Sequence, residues 1–187
     1  MKKYLASLYL LMPLCSMAQS TDNHQESLLG KGKLHIGAGL SQEVGGSFGI
    51  NRAFAPRLQY FVGNGWSVAL EGTFEKNSAT QNTMQGAGLN SRYYFLRGQH
   101  LALFGEIGAT LGRNGIYYMD TNGKGWGRQE TNTVFRTHAG LGVLYRLGER
   151  WSIEAGTLRM LSNTQNARNL PGYAPWRANV GVNFRIR

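Results

Sequence analysis

Eight stretches of this chain place apolar residues at every second position, and this pattern restricts the fold more than any other feature. In the last stretch, Trp176, Ala178, Val180, Val182, Phe184 and Ile186 alternate with Arg177, Asn179, Gly181, Asn183 and Arg185. Successive side chains of a strand point to opposite faces, so this segment has one oily face and one polar, charged face. The first stretch has Leu34, Ile36, Ala38 and Leu40 on its apolar face, the second Phe54, Leu58, Tyr60 and Val62, and the third Trp66, Val68, Leu70 and Phe74. The fourth has Ala87, Leu89, Tyr93 and Phe95, and the fifth Leu101, Leu103, Ile107, Ala109 and Leu111. The sixth has Phe135, Ala139, Leu141, Val143 and Tyr145, and the seventh Trp151, Ile153, Ala155 and Thr157.

The connections alternate in length. Gly63-Asn64-Gly65, Arg97-Gly98-Gln99 and Leu147-Gly148-Glu149 are tight turns, separated by polar links at Ser41 to Arg52, Lys76 to Thr83, Arg113 to Thr131 and Leu161 to Ala174. Three short turns and four long links put both chain ends on the short-turn side. Two architectures use such strands. A soluble, lipocalin-like barrel turns the oily face into a cavity. A transmembrane barrel turns it to lipid, with short turns on the periplasmic side and longer loops outside. Aromatic residues mark both ends of the oily faces: Trp66, Tyr93, Phe95, Tyr145, Trp151 and Phe184 at one, and Phe54, Phe74, Phe135 and Trp176 at the other. Rings of this kind favour the headgroup level. The two girdles and the loop alternation favour the membrane, and each run has roughly the 9–11 residues that a tilted strand needs to cross it.

The N-terminus has the form of an export signal. Lys2 and Lys3 precede an apolar run from Tyr4 to Leu14, and Ser16-Met17-Ala18 forms a small-x-small cleavage site. The expected division is a signal peptide over 1–18, a short periplasmic lead over 19–32 and a barrel domain over 33–187. The single cysteine, Cys15, lies inside the signal, so cleavage leaves no thiol for disulfides or metal; lipidation of Cys15 is the alternative, with Leu14 a poor residue before it. The net charge of +10 is spread over strands and turns without a cluster. That distribution argues against nucleic acid and for an anionic lipid surface. A mean hydropathy of -0.32 is compatible with a membrane barrel, because only half of each strand meets lipid.

With these features the chain resembles the small eight-stranded bacterial outer-membrane proteins, of the OmpA transmembrane-domain and OmpX type. The resemblance spans Lys33 to Arg187 and is one of pattern. It implies an all-β, eight-stranded antiparallel up-and-down transmembrane β-barrel, monomeric, without cofactor. The expected partners are outer-membrane lipid and lipopolysaccharide, the barrel-assembly machinery during insertion, and a surface partner at the long loops. In that family the last strand ends on an aromatic residue; here the alternation runs through Phe184 and Ile186 to Arg187.

Alternation also assigns the inward face. Arg57, Arg92, Arg136, Arg177 and Arg185 face inward with Glu71, Glu75, Glu106, Glu154 and His138. Eight strands leave a lumen that side chains can fill, and charges in it must pair across strands. The expectation is a closed, salt-bridged interior; a narrow charge-selective path is the alternative. Glu106, His138 and Glu154 fall on adjacent strands, where a histidine between carboxylates could act as a base. Acyl transfer needs an activated nucleophile such as a serine beside a histidine. His35-Ile36-Gly37 and His138-Ala139-Gly140 lack one, so the chain is read as no enzyme and lipid A modification is the remote alternative. No metal-ligand spacing is present. Tyr117, Tyr118 and Trp126 in the longest link are candidate surface contacts. Ile116 to Met119, followed by Asp120-Thr121-Asn122-Gly123, reads as a strand and turn that extends the fifth and sixth strands into a hairpin above the membrane.

Overall fold

A computed structural model describes residues 28–44, 50–79, 81–119, 126–163 and 176–186, with the backbone alone over 116–119, 126–130 and 162–163. Eight strands follow in order: β1 (Leu34–Val44), β2 (Asn51–Gly63), β3 (Trp66–Asn77), β4 (Thr83–Arg97), β5 (Leu101–Met119), β6 (Trp126–Arg146), β7 (Trp151–Asn163) and β8 (Trp176–Arg185). Each pairs antiparallel with its neighbour in sequence, and β8 pairs with β1 to close the barrel. The seam runs from Val44 opposite Trp176 to His35 opposite Arg185. Closure leaves no unpaired strand edge, as a spanning sheet in lipid requires. No helix among the described residues is long and apolar enough to cross a membrane, so any crossing is made by strands.

The faces follow the alternation. Leu89, Ile107 and Leu141 point outward and are 68%, 64% and 65% exposed, whereas inward Arg92, Glu106 and Glu154 are 1%, 4% and 4% exposed. A lipocalin-like barrel would show the reverse. Both girdles lie on the outside. At the short-turn end the Trp66 indole donates to Ser91 Oγ at 3.0 Å, and Trp151 packs on Phe184 with ring centroids 4.8 Å apart. Gly65, at φ +73°, takes the left-handed backbone that the β2–β3 turn needs.

Two features concern the segments outside the eight alternating runs, and the first is the hairpin expected from the turn residues. β5 continues to Met119 and β6 begins at Trp126, paired from Ile116–Glu130 to Met119–Trp126, so the link from Arg113 to Thr131 is mostly hairpin. The turn itself, Asp120 to Gly123, lies outside the described residues, as do the signal peptide with Cys15 and the Ala18 cleavage site. The second feature is at the short-turn end, where Leu28 and Leu29 of the lead fold into the mouth of the barrel. They are each 1% exposed and pack with Phe61, Tyr94, Ala102, Phe104 and Leu144. Gly32 N–H donates to the Phe61 carbonyl at 2.8 Å, Gly65 N–H to the Leu29 carbonyl at 2.8 Å, and Lys31 N–H to Asn64 Oδ1 at 3.0 Å.

Candidate functional site: the barrel interior

The lumen is filled in layers. Above the leucine plug lies a chain of tilted rings, His35–Phe61, Phe61–Tyr94 and Tyr94–Phe104, with centroids 5.0, 5.8 and 5.4 Å apart. The Arg92 guanidinium sits 4.7 Å from the Phe104 ring centre, a cation–π contact that joins the apolar layer to the ionic one. Gln59 donates to Ser67 Oγ at 2.6 Å and to the Tyr94 hydroxyl at 3.2 Å, so the polar tip of Tyr94 is satisfied.

Glu154 is the centre of the first ionic cluster. Its two oxygens accept from Arg57 Nη2 at 2.7 Å and Arg92 Nη1 at 2.8 Å, and Asn183 Nδ2 donates to the same carboxylate at 3.0 Å. Arg57 also donates to Asn183 Oδ1 at 2.8 Å and lies 3.8 Å from Glu71, which accepts from Asn90 Nδ2 at 3.0 Å. Arg92 Nε donates to Glu106, and His138 Nε2 lies 3.3 Å from the other Glu106 oxygen. The pairs Arg57–Glu71 and Arg92–Glu106 stand directly opposite on adjacent strands. Glu154 instead reaches across the lumen, from β7 to β2 and β4.

Nearer the long-loop end, Glu75 accepts from Arg136 at 2.8 Å and from both terminal nitrogens of Arg177 at 3.0 and 2.7 Å. Asn51 donates to Glu43 and accepts from Asn77 at 2.8 Å. Between the two clusters lies a cavity of about 40 Å³, bordered by Glu71, Thr110, Arg136, His138 and Arg177. It has room for no more than a few water molecules.

The structure therefore gathers Arg57, Glu71, Arg92, Glu106, His138 and Glu154 in one cluster and Arg136 and Arg177 in another. Arg185 stands half-buried opposite His35 at the short-turn end. The constellation of Glu106, His138 and Glu154 is corrected: His138 meets Glu106, whereas Glu154 is engaged by Arg57, Arg92 and Asn183. Strand adjacency said nothing of height, and His138 is registered with Met160, Glu154 with Leu144. Tyr117, Tyr118 and Trp126 lie on the β5–β6 hairpin, as the strand-and-turn reading expected, and their side chains lie outside the described residues. Asn90, Asn183, Gln59 and Tyr94 were not singled out, although their parity with Arg92 and Arg177 along β4 and β8, and with Arg57 along β2, turns them inward. Among the described residues no three His, Cys, Asp or Glu side chains form a metal-binding group.

The inward glycines make this packing possible where rings and guanidinium groups crowd the wall. A Cβ on Gly108 would meet the Asn90 amide oxygen and lie 2.6 Å from the His138 ring. Gly108→Leu is expected to lower stability by about 1–3 kcal/mol through overpacking, read as a lower urea midpoint of the lipid-embedded barrel.

Comparison with solved structures finds the same fold. The outer membrane protein OprG of Pseudomonas aeruginosa superposes with a TM-score of 0.61 at 13% identity, over 86% of this chain and 99% of that one. The N-terminal β-barrel domain of OprF, also from Pseudomonas aeruginosa, gives 0.58 at 15% identity over 84% and 99%. Neisserial surface protein A gives 0.51 at 17% identity over 81% and 95%. No curated protein sequence matches. Residues 6–184 match the family described as "Outer membrane protein beta-barrel domain". An eight-stranded closed barrel, oily outside and ion-paired within, is thus seated in the outer membrane, and the chain belongs to the outer membrane protein β-barrel domain family.

Proposed function

We propose that this protein is a non-conducting outer-membrane barrel with a structural and surface-interaction role, without catalytic activity of its own. What carries the reading is the filled lumen: two ion-paired clusters stacked above an apolar plug of Leu28, Leu29 and Phe61. An ion moving along the axis would have to break the bonds of Glu154 and displace the plug. The short-turn end faces the periplasm and the long-loop end faces outward, as loop lengths in such barrels run. The export signal is removed after Ala18, insertion uses the barrel-assembly machinery, and the protein acts as a monomer. Its surroundings are outer-membrane lipid and lipopolysaccharide, with the β5–β6 hairpin available to a surface partner.

A narrow channel is the second reading, favoured by the polar cavity between the clusters. Planar-bilayer recording separates the two. The expected trace is that of the bare bilayer at all voltages the membrane tolerates. Steady, charge-selective current steps would overturn the closed reading.

A further inference from the structure

We propose that a row of outward side chains at the long-loop end binds the phosphates of the outer-leaflet glycolipid. The row consists of Gln42, Arg52, Lys76 and Thr83, with each residue directly opposite the next across β1, β2, β3 and β4. Arg113 stands outward nearby, opposite Gln85 on β4. Beyond the seam, Arg159 points outward on β7, its guanidinium 5.6 Å from the centre of the Trp176 ring. The inference rests on the outward orientation of the long-loop end given above, and it names the chemistry of the lipid partner there.

Three observations point to phosphate. Arg52 and Lys76 are both exposed and share one face of the sheet in direct register. Like charges so placed repel, and an anion between them reverses the sign of that energy. Among the strand residues whose side chains are described, every carboxylate turns inward: Glu43, Glu71, Glu75, Glu106 and Glu154. None of these carboxylates shares the outward face with Arg52 and Lys76, which leaves that face open to an external anion. The row's height fits a headgroup. One step toward the membrane centre, Phe54 stands opposite Phe74 on the same outward face, both exposed. Aromatic rings mark the boundary of the hydrocarbon, so the cations just beyond them lie among headgroups, their stems laid along apolar surface. Gln42 and Thr83 flank the charges with neutral polar groups.

The test is a titration of the full chain, refolded in neutral detergent micelles, with bisphosphorylated lipid A, and native mass spectrometry to count bound lipid. The double variant R52Q/K76Q is expected to bind roughly 30-fold more weakly, at about 1 kcal/mol per basic residue at a lipid surface. R52K/K76R keeps both charges and is expected to keep the affinity. Removing the lipid phosphates should weaken wild type by the same factor and leave R52Q/K76Q unchanged. Equal binding by wild type and R52Q/K76Q would overturn the proposal, as would phosphatidylglycerol displacing lipid A at equal concentration. Bilayer recording on the same preparations keeps the outcomes separate. Current steps would refute the closed barrel and leave the phosphate site standing, whereas lost phosphate dependence would refute the site alone.

Discussion

Replacing Glu154 by glutamine is expected to lower the stability of the barrel by roughly 3–5 kcal/mol, the usual cost of removing one partner from a buried ion pair. The side chain keeps its shape, so packing is preserved. What changes is charge. Arg57 and Arg92, 5% and 1% exposed, lose the carboxylate that both share. The remaining partners do not make up the loss. Glu71 is 3.8 Å from Arg57, and Glu106 already serves both Arg92 and His138. Urea unfolding of the protein in lipid vesicles, followed by tryptophan fluorescence, measures the difference. Glu149, exposed in the β7-side turn, serves as the control; Glu149→Gln should stay within about 0.5 kcal/mol of wild type. A loss below about 1 kcal/mol for Glu154→Gln would mean that water reaches the two guanidinium groups. The closed lumen would then be refuted along with the estimate.

The second large effect is expected at the leucine plug. Changing Leu28 and Leu29 together to aspartate removes two fully buried side chains, worth about 1.5–3 kcal/mol each, from the docking of the lead. The segment should leave the mouth while the barrel stays closed. Two amides report the change directly. Gly32 N–H is held by the Phe61 carbonyl, and Gly65 N–H by the Leu29 carbonyl. Their hydrogen exchange should accelerate by roughly 10²–10⁴, following those free energies. Ile107 and Ala139, paired in mid-strand, should exchange as before. Unchanged protection of Gly32 and Gly65 would show that something other than the leucines holds the segment.

These two sites differ in how far the sequence revealed them. The strands and their faces were legible because alternation is a local property, visible within any one of the eight segments. The inward direction of Arg57, Arg92, Glu106 and Glu154 followed from the same parity. Their partners were only half legible. Arg57–Glu71 and Arg92–Glu106 are neighbours in register, but Glu154 meets Arg57 and Arg92 across the lumen. That meeting depends on closure of the barrel, which brings β7 across the lumen from β2 and β4 and which no single strand encodes. The plug was not legible at all. Leu28 and Leu29 are two adjacent apolar residues before the first alternating run, and their burial arises only once a barrel mouth exists to receive them. The β5–β6 hairpin was legible through its turn residues, although Gly and Asn spread along it blur where the strands end.

The cross-lumen bonds also set an order of events. Arg57 and Glu154 are 97 residues apart, Glu75 and Arg177 102, and Arg57 and Asn183 126. None of these bonds can form while the sheet is still open, because their partners reach each other only through the enclosed space. The loop-closure entropy is spent before any of this interior attraction returns it. A sheet lacking β8 therefore carries Arg57 short of its Asn183 partner and Glu75 without Arg177, with charged groups facing lipid or water. The docking of β8 on β1 is accordingly the event that completes the interior: it brings Asn183 to Arg57 and Arg177 to Glu75, whereas Arg57–Glu71 and Arg92–Glu106 need only their neighbouring strands.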